Sequence, residues 1–223
     1  YSDVWPPCFT RLKKYADDIK KYAFVDTEEN LPDNIIPIIY DNSESYRNQF
    51  LSCIRQVEEK YIIYTSEDYI LYDNVKFDEI NKIIEVLENS EFNFCKFIKG
   101  PEKTSHYIEN LFVIDPKDSN LFAQQASVWK TRDFQKIFET APSENTRMQH
   151  EPGGSAICRE LGFTGLQYYS NTKKRGIHHY DSEIFPCIAT AVVKGLWNMT
   201  EYPAEMTEVV KEFKIDLTFR GWR

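Results

Sequence analysis

Three groups of residues in this chain have the types and spacing to act on a phosphate-bearing substrate. The first is Glu67-Asp68, which ends the apolar run Tyr61-Ile62-Ile63-Tyr64 and precedes a second one, Tyr69-Ile70-Leu71-Tyr72. β-Branched and aromatic residues in such a run have the composition of a buried strand. Both carboxylates therefore fall at a strand's C-terminal end. Ligand sites of open α/β sheets lie outside those ends, and Mg²⁺ or Mn²⁺ binds through one or two carboxylates plus substrate phosphates. A solvated acidic turn is the plainer alternative. The second group is Glu151, which precedes Pro152-Gly153-Gly154. A lone carboxylate there either starts a helix, where the macrodipole favours it, or lines a cleft as a general base. The third is the loop Lys173-Lys174-Arg175-Gly176-Ile177-His178-His179-Tyr180-Asp181-Ser182. A local basic loop in an acidic chain suits a diphosphate, and a histidine here would complete a cation site with Asp68.

A fourth group, Gln124-Gln125-Ala126-Ser127-Val128-Trp129-Lys130, offers an amide, a hydroxyl and an indole. Together these could hold a sugar ring. The plainer reading is an amphipathic strand ending in a core tryptophan.

The elements that must position these groups alternate along the chain. Trp5, Phe9, Leu12 and Tyr15 mark one face of an opening helix, with Ser2 or Asp3 as its cap. An α/β nucleotide-binding domain begins with a strand, so the first strand is expected to be missing. Strands are predicted at 22–26, 35–40, 61–65 and 92–98, and Pro37 puts the second at an edge. Helices are predicted at 46–58 and 77–87. This alternation predicts a largely parallel sheet flanked by helices. Beyond Gly100 the pattern predicts strands at 107–114 and 121–128, helices at 131–140 and 145–161, a polar loop at 170–181 and a core helix at 188–193. The whole reads as a single domain, 1–223. Residues 1–100 form a nucleotide-sugar-binding half and residues 101–223 an acceptor and catalytic half.

Composition narrows the function. With 223 residues, 42% hydrophobic and 28% charged, the chain is globular. Its net charge of −8 argues against broad binding to a nucleic-acid backbone. The cysteines (Cys8, Cys53, Cys95, Cys158, Cys187) lack CxxC spacing and suit reduced thiols in a cytosolic compartment. No apolar run approaches the roughly 18 residues of a transmembrane span.

Read in order, these residues resemble a family. The pattern runs Tyr1-Ser2-Asp3-Val4-Trp5, Tyr40-Asp41 with Ser43 and Tyr46-Arg47, Tyr61-Ile62-Ile63-Tyr64 with Glu67-Asp68, and Gln125-Ala126-Ser127-Val128-Trp129-Lys130. It continues through Glu151 and the loop 174–182 to Ile188-Ala189-Thr190-Ala191, Lys194-Gly195-Leu196-Trp197-Asn198 and Arg220-Gly221. It is similar to the small GT-A glycosyltransferases of bacterial and viral surface-polysaccharide synthesis. The resemblance implies a GT-A-like, Rossmann-like sheet with a C-terminal acceptor-side region. It implies transfer of a hexose-type sugar from a nucleoside-diphosphate sugar to a glycan or lipid-linked acceptor, with inversion. Glu151 would be the base. Asp68 would bind Mn²⁺ or Mg²⁺ directly, with His178 or His179 as a late ligand. Tyr40, Asp41, Arg47, Glu67, Gln125, Trp129, Lys174 and Arg175 would hold the nucleotide sugar. The protein would be cytoplasmic, or peripheral at the inner membrane face.

The chain departs from the family at Ser66, which stands where the first aspartate of a DxD signature falls. That leaves the metal requirement open. Two rivals remain. A sugar nucleotidyltransferase would show a glycine-rich basic loop near the N-terminus, and none is visible. A non-catalytic sugar- or nucleotide-binding module would explain Ser66 and leave Glu151 dispensable.

Overall fold

The computed structural model describes residues 3–29, 31–142 and 147–223. The first half contains α1 (Trp5–Tyr15), β1 (Tyr22–Val25), β2 (Ile36–Ile39), α2 (Tyr46–Ile54), β3 (Tyr61–Tyr64), β4 (Ile70–Leu71), α3 (Phe77–Glu88) and β5 (Phe94–Lys96). Next come β6 (Thr104–Ile108), β7 (Leu111–Ile114), β8 (Ser127–Lys130), α4 (Thr131–Thr140), α5 (Arg147–Glu160) and β9 (Gly165–Tyr168). Short ribbons follow: β10 (Lys174–Arg175), β11 (His179–Tyr180), β12 (Cys187–Ile188), β13 (Val192–Val193) and β14 (Leu196–Trp197). The helices α6 (Pro203–Phe213) and α7 (Leu217–Arg220) end the chain.

A six-stranded sheet of order β3-β8-β5-β9-β7-β6 organises these elements. β5 and β9 pair in parallel and the other neighbours pair antiparallel. Strands β3, β5, β9 and β6 thus share one direction, and β8 and β7 oppose it. The result is the expected α/β architecture, a central mixed sheet with most strands in one direction and helices on both faces.

Alternation along the strands builds two cores. Ile62, Trp129 and Phe94 face Phe50, Phe134, Phe138 and Ile157 of α2, α4 and α5. Ile63, Val128, Cys95 and Leu166 face Ile80, Ile83 and Leu87 of α3. On the first face Phe94 stacks on Trp129 with centroids 4.1 Å apart. Gly165 is required beside them, because a Cβ there would lie 2.1 Å from the Phe94 ring. All five cysteines are free and buried. Among the described residues, no helix is long and apolar enough to cross a membrane.

Several local expectations change. The stretch 107–114 is not one strand but the end of a hairpin, β6–β7, turned at Glu109 with φ 47°. The strand expected at 121–128 begins only at Ser127. Residues 188–193 are not a core helix. Ile188 pairs with Ile70, and Val192-Val193 forms β13 against β14. The β-branched Ile188, Thr190, Val192 and Val193 favour extended backbone, and strand partners from distant segments decide the matter. The loop 170–181 contains the β10–β11 hairpin. Asp3 does not cap α1, whose cap position is Val4; its carboxylate receives the Arg220 guanidinium instead, at 2.7 Å from Nε. Ser2, and the expected helix start at Asn145, lie outside the described residues.

One register row of the sheet is polar in a buried setting. Ser127, Lys96 and Gln167 are direct neighbours on β8, β5 and β9. Lys96 is only 1% exposed. Its ammonium donates to Glu102 Oε1 at 2.6 Å and to the Asn120 carbonyl. The other Glu102 oxygen accepts the Gly100 amide at 3.0 Å. Removing one member of a buried ion pair leaves an uncompensated charge. Lys96→Met should therefore destabilise the protein by about 3–5 kcal/mol. Lys96→Met combined with Glu102→Gln should recover most of that loss, since glutamine still accepts from Gly100. Urea titrations of the two variants decide it, and equal losses would mean the pair is not coupled.

Candidate functional site

The carboxyl ends of β3, β5 and β9 lie along one edge of the sheet. After β3 the chain turns through Thr65-Ser66-Glu67-Asp68. The Asp68 carbonyl accepts the Ala191 amide at 3.2 Å, which pins this turn to the C-terminal ribbons. After β5 come Lys99 and Glu102, and after β9 come Tyr169 and Ser170. α5 is held close to the segment before β8. Ser155 Oγ accepts the Phe122 amide at 3.0 Å and donates to the Phe122 carbonyl at 3.2 Å. Gly154 permits the approach, since a Cβ there would lie 2.4 Å from the Phe122 ring.

Glu151 is exposed on α5, and its Oε1 accepts the Gln124 amide at 2.9 Å. That hydrogen bond fixes the carboxylate and leaves its second oxygen available. The side-chain nitrogen of Gln124 is buried and has no hydrogen-bond partner among the described residues.

Electrostatics tie the dispersed residues together. Burial holds the Tyr69 hydroxyl well above its ordinary pKa, and Asp68, Cys187 and Glu151 reinforce the shift. Asp68 and Glu151 thus act on the same hydroxyl. Burial pulls the Lys96 ammonium down, opposed chiefly by Glu102, with Asp118 and Glu151 also opposing. The His179 imidazole is lowered by burial and by His178, against the opposing fields of Glu201, Glu102 and Glu151. Glu151 therefore lies within electrostatic reach of Tyr69, Lys96 and His179.

The remaining expected site residues divide. Tyr40 packs beneath α2, and its hydroxyl is raised by burial and then by Asp26, Cys53 and Glu67. Asp41 is exposed and accepts from Ser43 N and Oγ at 2.8 and 2.7 Å, in the turn that leads to α2. These bonds lower its carboxyl pKa. Arg47 binds the C-terminal carbonyls of α4, donating to Phe138 at 2.8 Å and to Glu139 at 2.9 Å. Asp41 and Arg47 line one groove of about 520 Å³ with Ile39, Glu44 and Leu51. Gln125 is buried, and its carbonyl accepts the Ser127 hydroxyl at 2.9 Å.

Two expected ligand contacts are engaged elsewhere. Trp129 presents no face to a ligand: it is 1% exposed, stacked on Phe94, with its N–H bonded to Ser127 Oγ at 2.9 Å. Arg175 is engaged by carboxylates on two sides, Asp181 at 2.9 and 3.0 Å and Glu205 at 2.5 Å. Its guanidinium also lies over Tyr202. Arg175 therefore braces the β10–β11 hairpin against α6 rather than awaiting a phosphate. Among the described residues, no three His, Cys, Asp or Glu side chains converge to hold a cation by themselves. The residues present fit only a cation held by one or two carboxylates and completed by substrate phosphates.

The sequence reading missed Tyr69, Lys96, Lys99, Glu102 and Tyr169 as members of this edge. Lys96 alone left a local signal, a lysine closing the apolar Phe92-Asn93-Phe94-Cys95 stretch.

No family model matches the chain, and no curated protein is similar to it. Among solved structures it is similar to the bifunctional IspDF from Campylobacter jejuni, with 11% identity and a TM-score of 0.44 over 75% of this chain and 42% of that one. It is similar to CMP:2-keto-3-deoxy-manno-octonic acid synthetase complexed with CTP, with 9% identity and a TM-score of 0.46 over 74% and 78%. Apo UDP-glucose pyrophosphorylase gives 9% and 0.47 over 81% and 64%. The chain spans less than two thirds of the first and third of these. Likenesses at this level decide no activity.

The His179 shift has a pH consequence. Its folded pKa lies below the ordinary 6.5, so the unfolded chain takes up this proton first as pH falls. The group contributes stability above about pH 6.5 that is lost as pH drops through the lower folded value. Melting temperature should fall between pH 7 and 5, and His179→Asn should flatten that slope. An unchanged slope in the variant would place the responsible group elsewhere.

Proposed function

We propose that this chain is a nucleotide-sugar-dependent glycosyltransferase, acting with inversion. One observation carries the reading most directly. The turn that carries Asp68 follows β3 at the carboxyl edge of the sheet, while Glu151, exposed on α5, has one carboxylate oxygen fixed by the Gln124 amide at 2.9 Å. The chemistry requires both groups. The departing diphosphate needs charge neutralisation, and the acceptor hydroxyl needs a base within hydrogen-bond reach on the opposite side. Sugar transfer passes through an oxocarbenium-like state, so both groups act as positioned charges about one carbon.

In this reading Asp68 would hold Mg²⁺ or Mn²⁺ together with substrate phosphates, and the cation would neutralise the leaving group. Tyr40 and Glu67 face the nucleoside. Glu151 keeps one oxygen on the Gln124 amide and takes the acceptor proton on the other. The buried Gln124 side-chain nitrogen has an unmet hydrogen bond, which a substrate oxygen would supply; an unsatisfied buried donor costs about 1–3 kcal/mol. The acceptor is a glycan or a lipid-linked glycan. A sugar nucleotidyltransferase or a non-catalytic binding module would use the same edge without needing Glu151 as a base.

Two substitutions separate these readings. Asp68→Asn should abolish Mn²⁺-dependent stabilisation by nucleoside diphosphates in a thermal-shift panel while leaving the apo melting temperature in place. Unchanged stabilisation would remove Asp68 from the cation site. Glu151→Gln should keep nucleotide-sugar affinity and lose transfer by about 10²–10⁴-fold, the size of a proton-transfer contribution. Transfer at the unsubstituted rate would reduce Glu151 to a helix-start carboxylate. A parallel loss of donor affinity would move it to the donor side.

A further inference from the structure

Beside the Glu151 edge, two lysines rest on two tyrosines. Lys99 Nζ is 4.6 Å from the Tyr169 ring centroid and 5.6 Å from that of Tyr180. Lys174 Nζ is 5.9 Å from Tyr180. The rings meet edge to face with centroids 5.3 Å apart. The Tyr180 amide donates to the Lys99 carbonyl at 3.1 Å, so the β10–β11 hairpin is fixed to the end of β5. Neither lysine forms an ion pair with a described carboxylate, although the chain carries 35 acidic residues against 27 basic ones. Arg175, next to Lys174, is fully engaged by Asp181 and Glu205. The hairpin therefore separates a neutralised arginine from two lysines whose charges are available.

We infer that Lys99 and Lys174, with Tyr169 and Tyr180, bind an anionic substituent on the acceptor glycan. Magnitudes favour an anion at this place. A cation over an aromatic ring at a partly exposed site is held weakly. A charge-assisted hydrogen bond to an anion is stronger. An incoming carboxylate or phosphate would draw both ammonium groups off the rings and leave half-exposed tyrosine faces for the sugar's C–H bonds.

Sheet geometry separates this anion from the donor diphosphate. Asp68 follows β3, whereas Lys99 follows β5 and Tyr169 follows β9. β5 and β9 are two and three strands from β3, or roughly 10 and 14 Å at about 4.8 Å per strand. A single diphosphate held at Asp68 does not reach across that distance. Glu151, held by the Gln124 amide at 2.9 Å, belongs to α5 and to neither strand end. The acceptor's reacting hydroxyl would approach Glu151 while its charged substituent is held by the lysines. This inference rests on the transferase reading of the edge.

The test uses the intact protein and calorimetric titration with four probes. These are a short oligouronate, the neutral hexose oligomer of the same linkage, a sugar phosphate, and a nucleoside diphosphate with Mn²⁺. The variants are Lys99→Gln/Lys174→Gln and, as a charge-matched control, Lys13→Gln/Lys211→Gln on exposed positions of α1 and α6. The oligouronate or the sugar phosphate should bind, more weakly at high salt. The Lys99/Lys174 variant should weaken it at least about tenfold, and the control should not. Whichever of the two binds identifies the acceptor's anion as carboxylate or phosphate. Equal binding of charged and neutral glycans, binding of neither acidic probe, or acidic-glycan binding indifferent to Lys99 and Lys174 overturns the inference. Loss of nucleoside diphosphate affinity in the Lys99/Lys174 variant also overturns it, by assigning the pair to the donor. If nucleotide binds and acidic glycan does not, this inference fails alone. If acidic glycan binds through the lysines and no nucleotide binds, the transferase reading fails and the anion site stands.

Discussion

The central strand of the sheet ends on a lysine that has no route to solvent. β5 is three residues long, every one buried, with β8 on one side and β9 on the other. An ammonium left there without a partner would be several kcal/mol too costly. The chain after Lys96 therefore turns back through Gly100 and delivers Glu102 to the ammonium at 2.6 Å. The segment before β8 supplies the Asn120 carbonyl to the same group. Once those two loops are fixed, much of the edge follows. Asp118 accepts the Lys103 amide at 2.9 Å, and its carbonyl accepts from Arg159 of α5 at 3.1 Å. Phe122 and Gln124, a few residues on, receive Ser155 and Glu151. A continuous path of contacts thus runs from the middle of the sheet to the candidate base.

A buried ion pair is a weak source of stability compared with apolar packing. Its use here is better explained by specificity. Apolar contacts around Phe50, Trp129 and Phe134 are non-directional, whereas the Lys96 ammonium and the Glu102 carboxylate meet specific partners in the Asn120 carbonyl and the Gly100 amide. The same charge also lies in the field of Glu151, so the frame and the chemistry share an electrostatic environment. Arg175 repeats the principle at the hairpin, where Asp181 and Glu205 consume its charge in bracing α6.

Local signals carried the elements whose cause is local. α3 is legible because Phe77, Ile80, Ile84 and Leu87 recur at helical spacing, and β3 because Tyr61-Ile62-Ile63-Tyr64 has strand composition. The α/β class followed from that alternation. The 188–193 stretch was misread because small and apolar residues fit a close-packed helix as well as a ribbon, and the deciding partner, Ile70, is more than a hundred residues away. Arg175 and Trp129 look like ligand contacts when read as residue types. Their actual partners, Glu205 and Phe94, come from other parts of the chain. Lys99 was invisible because its meaning depends on Tyr169 and Tyr180, which only the fold places beside it.

The position of Asp68 shows the same limit at the centre of the proposed chemistry. Its own strand ends four residues earlier, at Tyr64. What holds the acidic turn in place is the C-terminal segment. The Ala191 amide bonds the Asp68 carbonyl, the Asn198 amide bonds the Ala191 carbonyl, and the Tyr72 amide bonds the Pro186 carbonyl. β4 meanwhile pairs with β12, and Arg11 of α1 donates to the Leu71 carbonyl at 3.3 Å while its Nη2 pairs with Glu212 of α6 at 2.6 Å. Asp68 is therefore set by residues more than a hundred positions later, the same part of the chain that carries the β10–β11 hairpin. Closing such contacts costs chain entropy before it returns any packing. In this architecture the Asp68 turn is bonded to Ala191 and the β10–β11 hairpin is braced on Glu205 of α6, so the placement of both rests on the C-terminal segment rather than on their own neighbours in sequence.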